Sequence, residues 1–193
     1  MDESPSFIYG ISVLLYLYKR EVMLMNEIIN TRSSIRKYKD EPLPEEVVRT
    51  LAEAGLKAPT ATNKQEIHIT VTTKDHPGNK KIQDALDPDA KASFYYDAPV
   101  IMYLSAEDGF KWSDVDAGIA VENIHLAAAS MGLGSVILGC MKKVINGEKK
   151  KEYDQMLEIP EGYSFRIGIA VGYPDTSKEQ HQINYDRDVT VLY

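Results

Sequence analysis

The sequence predicts an α+β fold, and three observations lead to this prediction. Residues 67–73, "IHITVTT", alternate apolar and polar side chains, which is typical of a half-buried strand. Residues 98–105, "APVIMYLS", form a continuous apolar run, which is typical of a buried strand. Helical and strand patterns follow one another without a regular βαβ alternation. The segment "GLGS" (132–135) lacks the third glycine of a dinucleotide fingerprint and follows a predicted helix, so a Rossmann fold is not indicated.

The part of the chain around the first strand contains three predicted helices. Residues 26–32 have the pattern of a short helix, and residues 40–59 have that of a longer one. Pro44 suits the first helical turn, and the two glutamates after it favour the positive end of the helix dipole. Pro59 ends this helix. Residues 75–93 indicate a turn followed by a polar helix.

The C-terminal half contains the most apolar helix of the chain. Residues 114–131 are nonpolar nearly all round, which indicates burial on most sides, and the middle of a dimer would provide it. A glycine turn and a strand follow at 132–139, and a charged surface helix at 148–157. The C-terminal residues 189–193, "VTVLY", indicate a last strand or a swapped arm. Residues 164–174 predict an alternating strand whose larger side chains share one side: Phe165, Ile167, Ile169 and Val171.

Composition and charge narrow the possible functions. The chain has 193 residues, a formal net charge of −7 and 44% apolar residues, which indicates one domain with a real core and argues against duplex nucleic-acid binding. The single cysteine, Cys140, excludes an internal disulfide and favours a reducing, cytoplasmic setting. CxxC, HExxH and GxSxG motifs are missing from the sequence, and its four histidines are scattered, so no metal site is expected.

The first 24 residues are interpreted separately from the domain, which is expected to span residues 25–193. Residues 7–18, "FIYGISVLLYLY", are almost wholly apolar but too short to span a bilayer. Acidic residues precede them, unlike the basic start of a signal peptide. Two interpretations remain open. Residues 1–24 form an added helix, or the start codon is misassigned and "KREVMLM" (19–25) encodes a ribosome-binding site before Met25.

Three separated segments offer hydrogen-bond donors on short, constrained pieces of chain. Residues 32–36, "RSSIR", combine arginines and serines, which match phosphate and carbonyl edges. Residues 58–65, "APTATNKQ", place several polar side chains in a loop after a helix. The strand within 132–140 ends in a glycine, which leaves its backbone open to a flat ligand. Taken singly, each segment is explained as well by a solvated basic turn, an ordinary loop or a tight turn.

Together these segments resemble the nitroreductase family of FMN-dependent oxidoreductases, from residue 25 onward. The family's Arg-x-Ser-x-Arg/Lys motif is similar to residues 32–36, and its Ala-Pro-Ser followed by Asn-x-Gln is similar to residues 58–65. Residues 116–139 resemble its long dimer helix and the following strand, and "IAVGYP" (169–174) resembles its late strand. The resemblance implies an intertwined homodimer with a central, mostly antiparallel sheet flanked by helices.

The resemblance also implies FMN as the cofactor and assigns roles to residues. Arg32 and Ser34, with Ser33 beside them, would hold the FMN phosphate and ribityl chain, and Arg36 would face the flavin near N1 and O2. A cation there stabilises the anionic reduced flavin. Contacts to the flavin ring would come from Asn63 and Gln65, contacts from the other subunit from Pro59, Thr60 and Ala61, and a backbone N–H toward flavin N5 from Leu138, Gly139 and Cys140.

The implied activity is electron transfer from NAD(P)H through FMN to a nitroaromatic or quinone acceptor, by a ping-pong mechanism. The cofactor carries the chemistry, so no catalytic side chain is expected. Two alternatives remain open: a non-catalytic flavin-binding or regulatory protein, and a different reductive activity such as dehalogenation or flavin fragmentation.

The sequence departs from the family pattern at two places. Glu66 and Ile67 stand where the family has Pro-Trp after Asn-x-Gln, which would reshape the wall of the site. The family places a basic residue of the C-terminal arm on the phosphate, and Arg187 is the nearest basic residue to that position. Weaker FMN binding than in typical members is the expected consequence.

Overall fold

The computed structural model describes residues 25–193. Residues 1–24 lie outside the described residues, so both interpretations of this segment stay predictions. The described chain divides into two units, a body of residues 33–181 and a smaller unit that consists of residues 25–32 and 182–193. No helix within residues 25–193 is long and apolar enough to cross a bilayer.

The elements follow the predicted order, with two short helices added. Helices of four residues carry too little periodicity to be recognised in a sequence. The elements are α1 (25–31), α2 (Glu45–Leu56), a 3₁₀ turn (Ala61–Asn63), β1 (Ile67–Thr73), α3 (Pro77–Leu86), β2 (Val100–Glu107), α4 (Ser113–Ser130), β3 (Gly134–Leu138), α5 (Lys142–Ile145), α6 (Lys150–Met156), β4 (Tyr163–Gly172) and α7 (Tyr185–Asp188).

The sheet of the body has the strand order β1-β2-β4-β3, and each strand is antiparallel to its neighbours. The predicted α+β class with a mostly antiparallel sheet is therefore confirmed. The chain before α2 extends the sheet beyond β3, because Ser34 pairs with Ser135 in a parallel bridge and Ile35 N–H donates to the Ser135 carbonyl at 2.9 Å. Among the four strands themselves, β1 and β3 are the outer ones.

Helices cover both faces of the sheet and form two cores. On one face, α2 and α4 pack against the sheet through residues such as Leu51 and Ile124. Helices α3, α5 and α6 pack on the other face around Tyr103 and Tyr153. α2 and α4 approach closely at Gly55, where an added Cβ would lie 2.8 Å from the Ile124 side chain. The chain's own sheet and α2 therefore bury one side of α4.

The prediction that Phe165 shares a side with Ile167, Ile169 and Val171 is wrong. Leu104 pairs with Ile167, but the next residue, Ser105, pairs with Phe165, so Arg166 is the extra residue of a β-bulge. A bulge reverses the alternation of side chains along a strand. Phe165 accordingly packs in the core of α3, α5 and α6, whereas the three aliphatic residues lie on the α2–α4 side.

Residues 25–32 and 182–193 contain two short helices, α1 and α7. Helix α1 confirms the predicted helix at residues 26–32. Helix α7 begins with an Asn184 side chain that accepts a hydrogen bond from Arg187 N–H at 3.1 Å. Residues 189–193 form no strand within the described chain, so the predicted last strand is wrong, and a swapped arm stays a prediction. A segment of this length needs a ladder partner before it becomes a strand.

Gly134 allows residues 33–36 to lie against β3. A Cβ at Gly134 would lie 2.8 Å from Ile35 Cγ2 and 2.9 Å from Ile35 Cβ, and Ile35 is buried. We expect Gly134→Ala to lower the free energy of unfolding by about 1–3 kcal/mol, because a branched, packed side chain must move. Denaturant unfolding measures this change.

Gly139→Ala is the matched control for this prediction. Gly139 lies just beyond the same strand, its φ is not positive, and an added Cβ meets no atom within 4 Å among the described residues. Its free energy of unfolding should stay within about 0.5 kcal/mol of the unmodified protein. Equal free energies of unfolding for the two variants would show that the packing of Ile35 does not require Gly134 to be a glycine.

Candidate functional site

Arg36 lies on the segment that runs beside β3. Ser34 is half-buried and fixed by its bridge to Ser135, and Arg36 two residues later is exposed. The Arg36 guanidinium carbon lies 5.9 Å from the centre of the Tyr96 ring, at the outer limit of a cation–π contact. Arg36 makes no ion pair with any residue between 25 and 193, so its charge is open to an anion.

Tyr38 anchors the segment that carries Arg36. Its hydroxyl donates to the Ile35 carbonyl at 2.7 Å and lies 3.3 Å from the Ala170 carbonyl of β4. Burial raises the pKa of Tyr38, and the positive charge of Arg36 partly opposes this rise. The phenol therefore stays protonated and donates at every physiological pH. The sequence analysis did not identify Tyr38, whose only signal is its apolar ring in a basic, polar segment.

The turn after β3 lies close to the same group of residues. Leu138 is buried, whereas Gly139 and Cys140 are exposed. Because Ser34 pairs with Ser135 in a parallel bridge, Arg36 runs alongside the end of β3 that leads into this turn. We call Ser34, Arg36, Leu138, Gly139 and Cys140 the β3-side group.

The loop between α2 and β1 has an unusual backbone. Thr62, Asn63 and Gln65 have positive φ values of 58°, 54° and 56°, and none of them is glycine. Such conformations cost about 1–3 kcal/mol each and persist where the surrounding structure enforces them, often at functional sites. Here Thr60 Oγ1 accepts from Gln65 N–H at 2.9 Å, and Asp116 Oδ2 accepts from Ala61 N–H at 3.0 Å.

The side chains of this loop face outward and are mostly polar. Asn63 and Gln65 are exposed, and their amide groups lie 3.3 Å apart. Lys64 forms an ion pair with Glu107 at 2.8 Å, and its ammonium lies 5.2 Å from the centre of the Phe110 ring. A cavity of about 230 Å³ adjoins the loop. It is lined by Gly55, Leu56, Ala58, Thr60, Gln65 and Ile67.

Within one chain, the β3-side group and the loop lie on opposite edges of the sheet. The loop leads directly into β1, and β2 and β4 separate β1 from β3. Three strand spacings amount to about 14 Å, which is beyond the reach of a direct contact. The chain therefore keeps Pro59, Thr60, Ala61, Asn63 and Gln65 together at the β1 edge and does not bring them to Arg36.

Three of the predicted site residues contribute less to this geometry. Ser33 is half-buried at the start of the body. Arg32 belongs to the smaller unit, where its N–H donates to the Ile28 carbonyl at 2.8 Å and closes α1. Arg187 belongs to that unit as well, and its guanidinium pairs with Asp188 at 2.6 Å. A contact of Arg32 with a phosphate stays a prediction, and a contact of Arg187 with it stays an open question.

Neither the β3-side group nor the loop of residues 58–65 contains an acidic residue, but two buried acidic residues adjoin that loop. Asp116 and Glu66 are each 2% exposed; the sequence predicted Glu66 in the wall of the site and gave Asp116 no role. The described part of the chain contains no cluster of three or more histidine, cysteine, aspartate or glutamate side chains that could hold a metal ion. The outward-facing donors are thus cationic or neutral, which suits an anionic, planar ligand with carbonyl edges.

Comparisons with known proteins give a consistent result. The model of the nitroreductase family matches residues 29–173. A protein of Archaeoglobus fulgidus, named for NADH dehydrogenase/NAD(P)H nitroreductase activity, is 32% identical over 161 residues, which cover 81% of this chain and 88% of that protein. The FMN reductase (NAD(P)H) of Bacillus subtilis is 30% identical over 177 residues, which cover 78% of this chain and 67% of that protein. The structure of an FMN-dependent nitroreductase from Clostridium difficile R20291 aligns with a TM-score of 0.79 and 29% identity, over 87% of this chain and 98% of that one.

Proposed function

The chain belongs to the nitroreductase family, and from this premise we propose that it is an NAD(P)H-dependent flavin oxidoreductase with FMN bound between two copies of the chain. The relatives named as an NAD(P)H nitroreductase and as an FMN reductase support the activity. The FMN-dependent nitroreductase from Clostridium difficile R20291 supports FMN as the cofactor, because 98% of its chain aligns with this one. Residues 25–193 are the proposed FMN-binding domain.

The separation of the two donor groups is the observation that carries this proposal. The β3-side group and the loop of residues 59–65 lie on opposite edges of one sheet, about 14 Å apart. A second chain related by two-fold symmetry would bring the loop of one chain to the β3-side group of the other, twice over. Asn63 and Gln65 would then come from the same subunit as Pro59, Thr60 and Ala61, opposite Arg36.

An apolar face of α4 supports the homodimer. Val115 is 50% exposed and Ile119, one helical turn later, is 37% exposed. Gly118 and Leu126 are half-buried on the same side of the helix. Since α2 and the sheet bury the other side of α4, a second copy of the chain is the partner that would complete its burial.

The residues of the β3-side group suit an FMN ring. Arg36 offers a fixed cation to the N1 and O2 edge, where reduction places negative charge, and it makes that charge easier to hold. The empty space at Gly139 leaves its backbone open to a flat ring. FMN, when bound, supplies the electron transfer from the nicotinamide to the acceptor.

The proposed function includes an order of binding and a class of electron acceptor. NAD(P)H and a small flat acceptor, of nitroaromatic or quinone type, would bind in turn at the exposed side of the same ring, which is a ping-pong sequence. Asn63 and Gln65 are exposed and uncharged, which suits a neutral aromatic acceptor.

A spectroscopic experiment tests the proposed function. Purified protein should carry, or take up, FMN with the visible absorption band of flavin. Anaerobic NADH or NADPH should bleach this band, and a nitroaromatic or quinone should restore it. Protein that binds no added FMN would overturn the proposal. Bound FMN that neither nicotinamide bleaches would indicate a flavin-binding protein without this activity.

A further inference from the structure

The buried carboxyl of Glu66 takes no part in the site described above. Glu66 lies between the loop and β1 and is 2% exposed. Neither of its carboxyl oxygens makes a hydrogen bond of ordinary geometry with any residue between 25 and 193. An ionised carboxylate in such surroundings is strongly disfavoured. Burial is the largest cause that raises the pKa of Glu66, and the Asp116 carboxyl raises it further, against the opposing effects of the Glu66 backbone amide and of Lys64.

Asp116 is suited to be the ionised member of this pair. It lies in the first turn of α4, where the helix dipole favours a negative charge. Its Oδ2 already accepts a hydrogen bond from Ala61 N–H at 3.0 Å, which a carboxylate does better than a carboxylic acid. Asp116 therefore holds the start of the loop, and its other oxygen remains for a donor.

We propose that Glu66 donates a hydrogen bond from its protonated carboxyl to Asp116, and that this contact holds the loop in the conformation that presents Asn63 and Gln65. Both ends of the loop, Ala61 and Glu66, would then be tied to a single carboxylate. Glu66 and Asp116 act as positioning residues, because neither faces the ligand. The inference rests on the proposed function, since it assumes that the loop serves FMN.

The backbone of the loop explains why such a tie matters. Thr62, Asn63 and Gln65 occupy the left-handed region, which non-glycine residues leave unless other contacts enforce it. The hydrogen bonds from Gln65 N–H to Thr60 and from Ala61 N–H to Asp116 hold residues 60–65. A hydrogen bond from Glu66 to Asp116 would also hold the point where the loop enters β1, and would restrict the loop before FMN arrives.

The charges around Glu66 make the contact depend on pH. The described charged groups that act on Glu66 are Asp116 from α4 and Lys64 from the loop, and Lys64 is itself paired with Glu107 at the end of β2. The unfolded chain has an ordinary glutamate pKa of 4.5, and the folded value is higher. The stabilising effect of the protonated pair is therefore complete below pH 4.5 and is lost as the pH rises through the folded pKa.

Glu66→Gln is the variant that tests the role of the proton. Its amide has the shape of the protonated acid and donates at every pH. We expect the ratio of the FMN dissociation constants, unmodified protein over Glu66→Gln, to rise by about threefold or more between pH 5 and pH 9. The ratio cancels the titration of the FMN phosphate, which both proteins share. Fluorescence titration of FMN gives both constants.

Asp114→Asn is the matched control. Asp114 lies in the same first turn of α4, but its carboxylate pairs with Lys142 at 2.6 Å rather than with the loop. This variant should follow the unmodified protein at each pH. A ratio for Glu66→Gln that stays constant from pH 5 to pH 9 would overturn the proposal, and so would an equal change in Asp114→Asn.

A second measurement needs no FMN and separates this inference from the proposed function. In protein labelled with ¹³C at glutamate side chains, the Glu66 carboxyl should titrate above the ordinary glutamate pKa of 4.5. In Asp116→Asn its pKa should fall, because the asparagine amide donates to an ionised Glu66. An ordinary pKa in the unmodified protein would overturn the shared proton. If Glu66→Gln does not fold, the ratio of the FMN dissociation constants, unmodified protein over Asp116→Asn, replaces it and should likewise rise between pH 5 and pH 9. Protein that binds no FMN at any pH refutes the proposed function, and with it the role of the loop toward FMN, whereas the carboxyl titration still decides the shared proton.

Discussion

We expect the Arg36→Ala variant to bind FMN about 10- to 100-fold more weakly than the unmodified protein. A charged hydrogen bond contributes about 1.5–3 kcal/mol, which corresponds to this range of dissociation constants. Arg36 is exposed, and its guanidinium carbon lies 5.9 Å from the centre of the Tyr96 ring. Its removal leaves no buried polar group without a partner, so the free energy of unfolding should stay unchanged. The loss therefore reports on the ligand rather than on folding.

The same variant should lower the reduction potential of bound FMN. Arg36 is expected to contact the edge that becomes negative on reduction, so its removal weakens binding of the reduced form more than that of the oxidised form. Each tenfold difference between the two losses lowers a two-electron potential by about 30 mV. Redox titration of the visible flavin spectrum measures this shift, and stopped-flow mixing with NAD(P)H should show slower reduction.

Lys37→Ala is the matched control for Arg36. Lys37 is the next residue, carries the same charge and pairs with Asp175 at 2.6 Å, with 68% of its side chain exposed. Removing it changes the net charge equally but should alter neither affinity nor potential by more than a small factor. An Arg36→Ala protein with unchanged affinity and potential would remove Arg36 from the site.

The fold was predictable wherever a local pattern decides the structure. The alternation of residues 67–73 coincides with β1, and the apolar run of residues 114–131 coincides with α4 within one residue at each end. The side on which Phe165 packs was not predictable, because the bulge at Arg166 depends on how β4 pairs with β2. Pairing of this kind is not encoded in the periodicity of one strand.

The candidate site was predictable as residue types but not as a geometry. The motifs identified Arg36, Asn63 and Gln65, yet only the sheet order places Arg36 and the loop on opposite edges. Asp116 was missed because it meets Ala61 across 55 residues of sequence. A usable signal existed in the sequence, since Glu66 replaces a family proline and the most apolar helix begins with acidic residues.

The second large effect is expected at the dimer contact. We predict that Ile119→Glu converts the protein to a monomer and abolishes FMN binding in the same step. A carboxylate buried without a partner costs at least about 2 kcal/mol, and two-fold symmetry places the substitution in the contact twice. The resulting loss of about 4 kcal/mol raises the dimer dissociation constant roughly a thousandfold.

Val71→Glu controls for the addition of charge to an exposed aliphatic residue. Val71 lies on β1 and is 39% exposed, against 37% for Ile119. Within one chain, both substitutions therefore place a carboxylate at a similarly exposed position. Only Ile119 lies on the apolar face of α4, so Val71→Glu should remain a dimer with FMN bound. Size-exclusion chromatography with light scattering and simultaneous flavin absorbance measures mass and FMN content together.

The Ile119→Glu experiment tests two claims separately: that FMN binds between two chains, and that the apolar face of α4 forms the dimer contact. If FMN needs the loop of one chain and the β3-side group of another, flavin absorbance must disappear from the monomer peak, because one chain holds these groups about 14 Å apart. A monomer that keeps its FMN would place the whole site within one chain and refute the shared site. A variant that stays dimeric would remove the α4 face from the contact, and the burial of Val115 and Ile119 would then need a different partner.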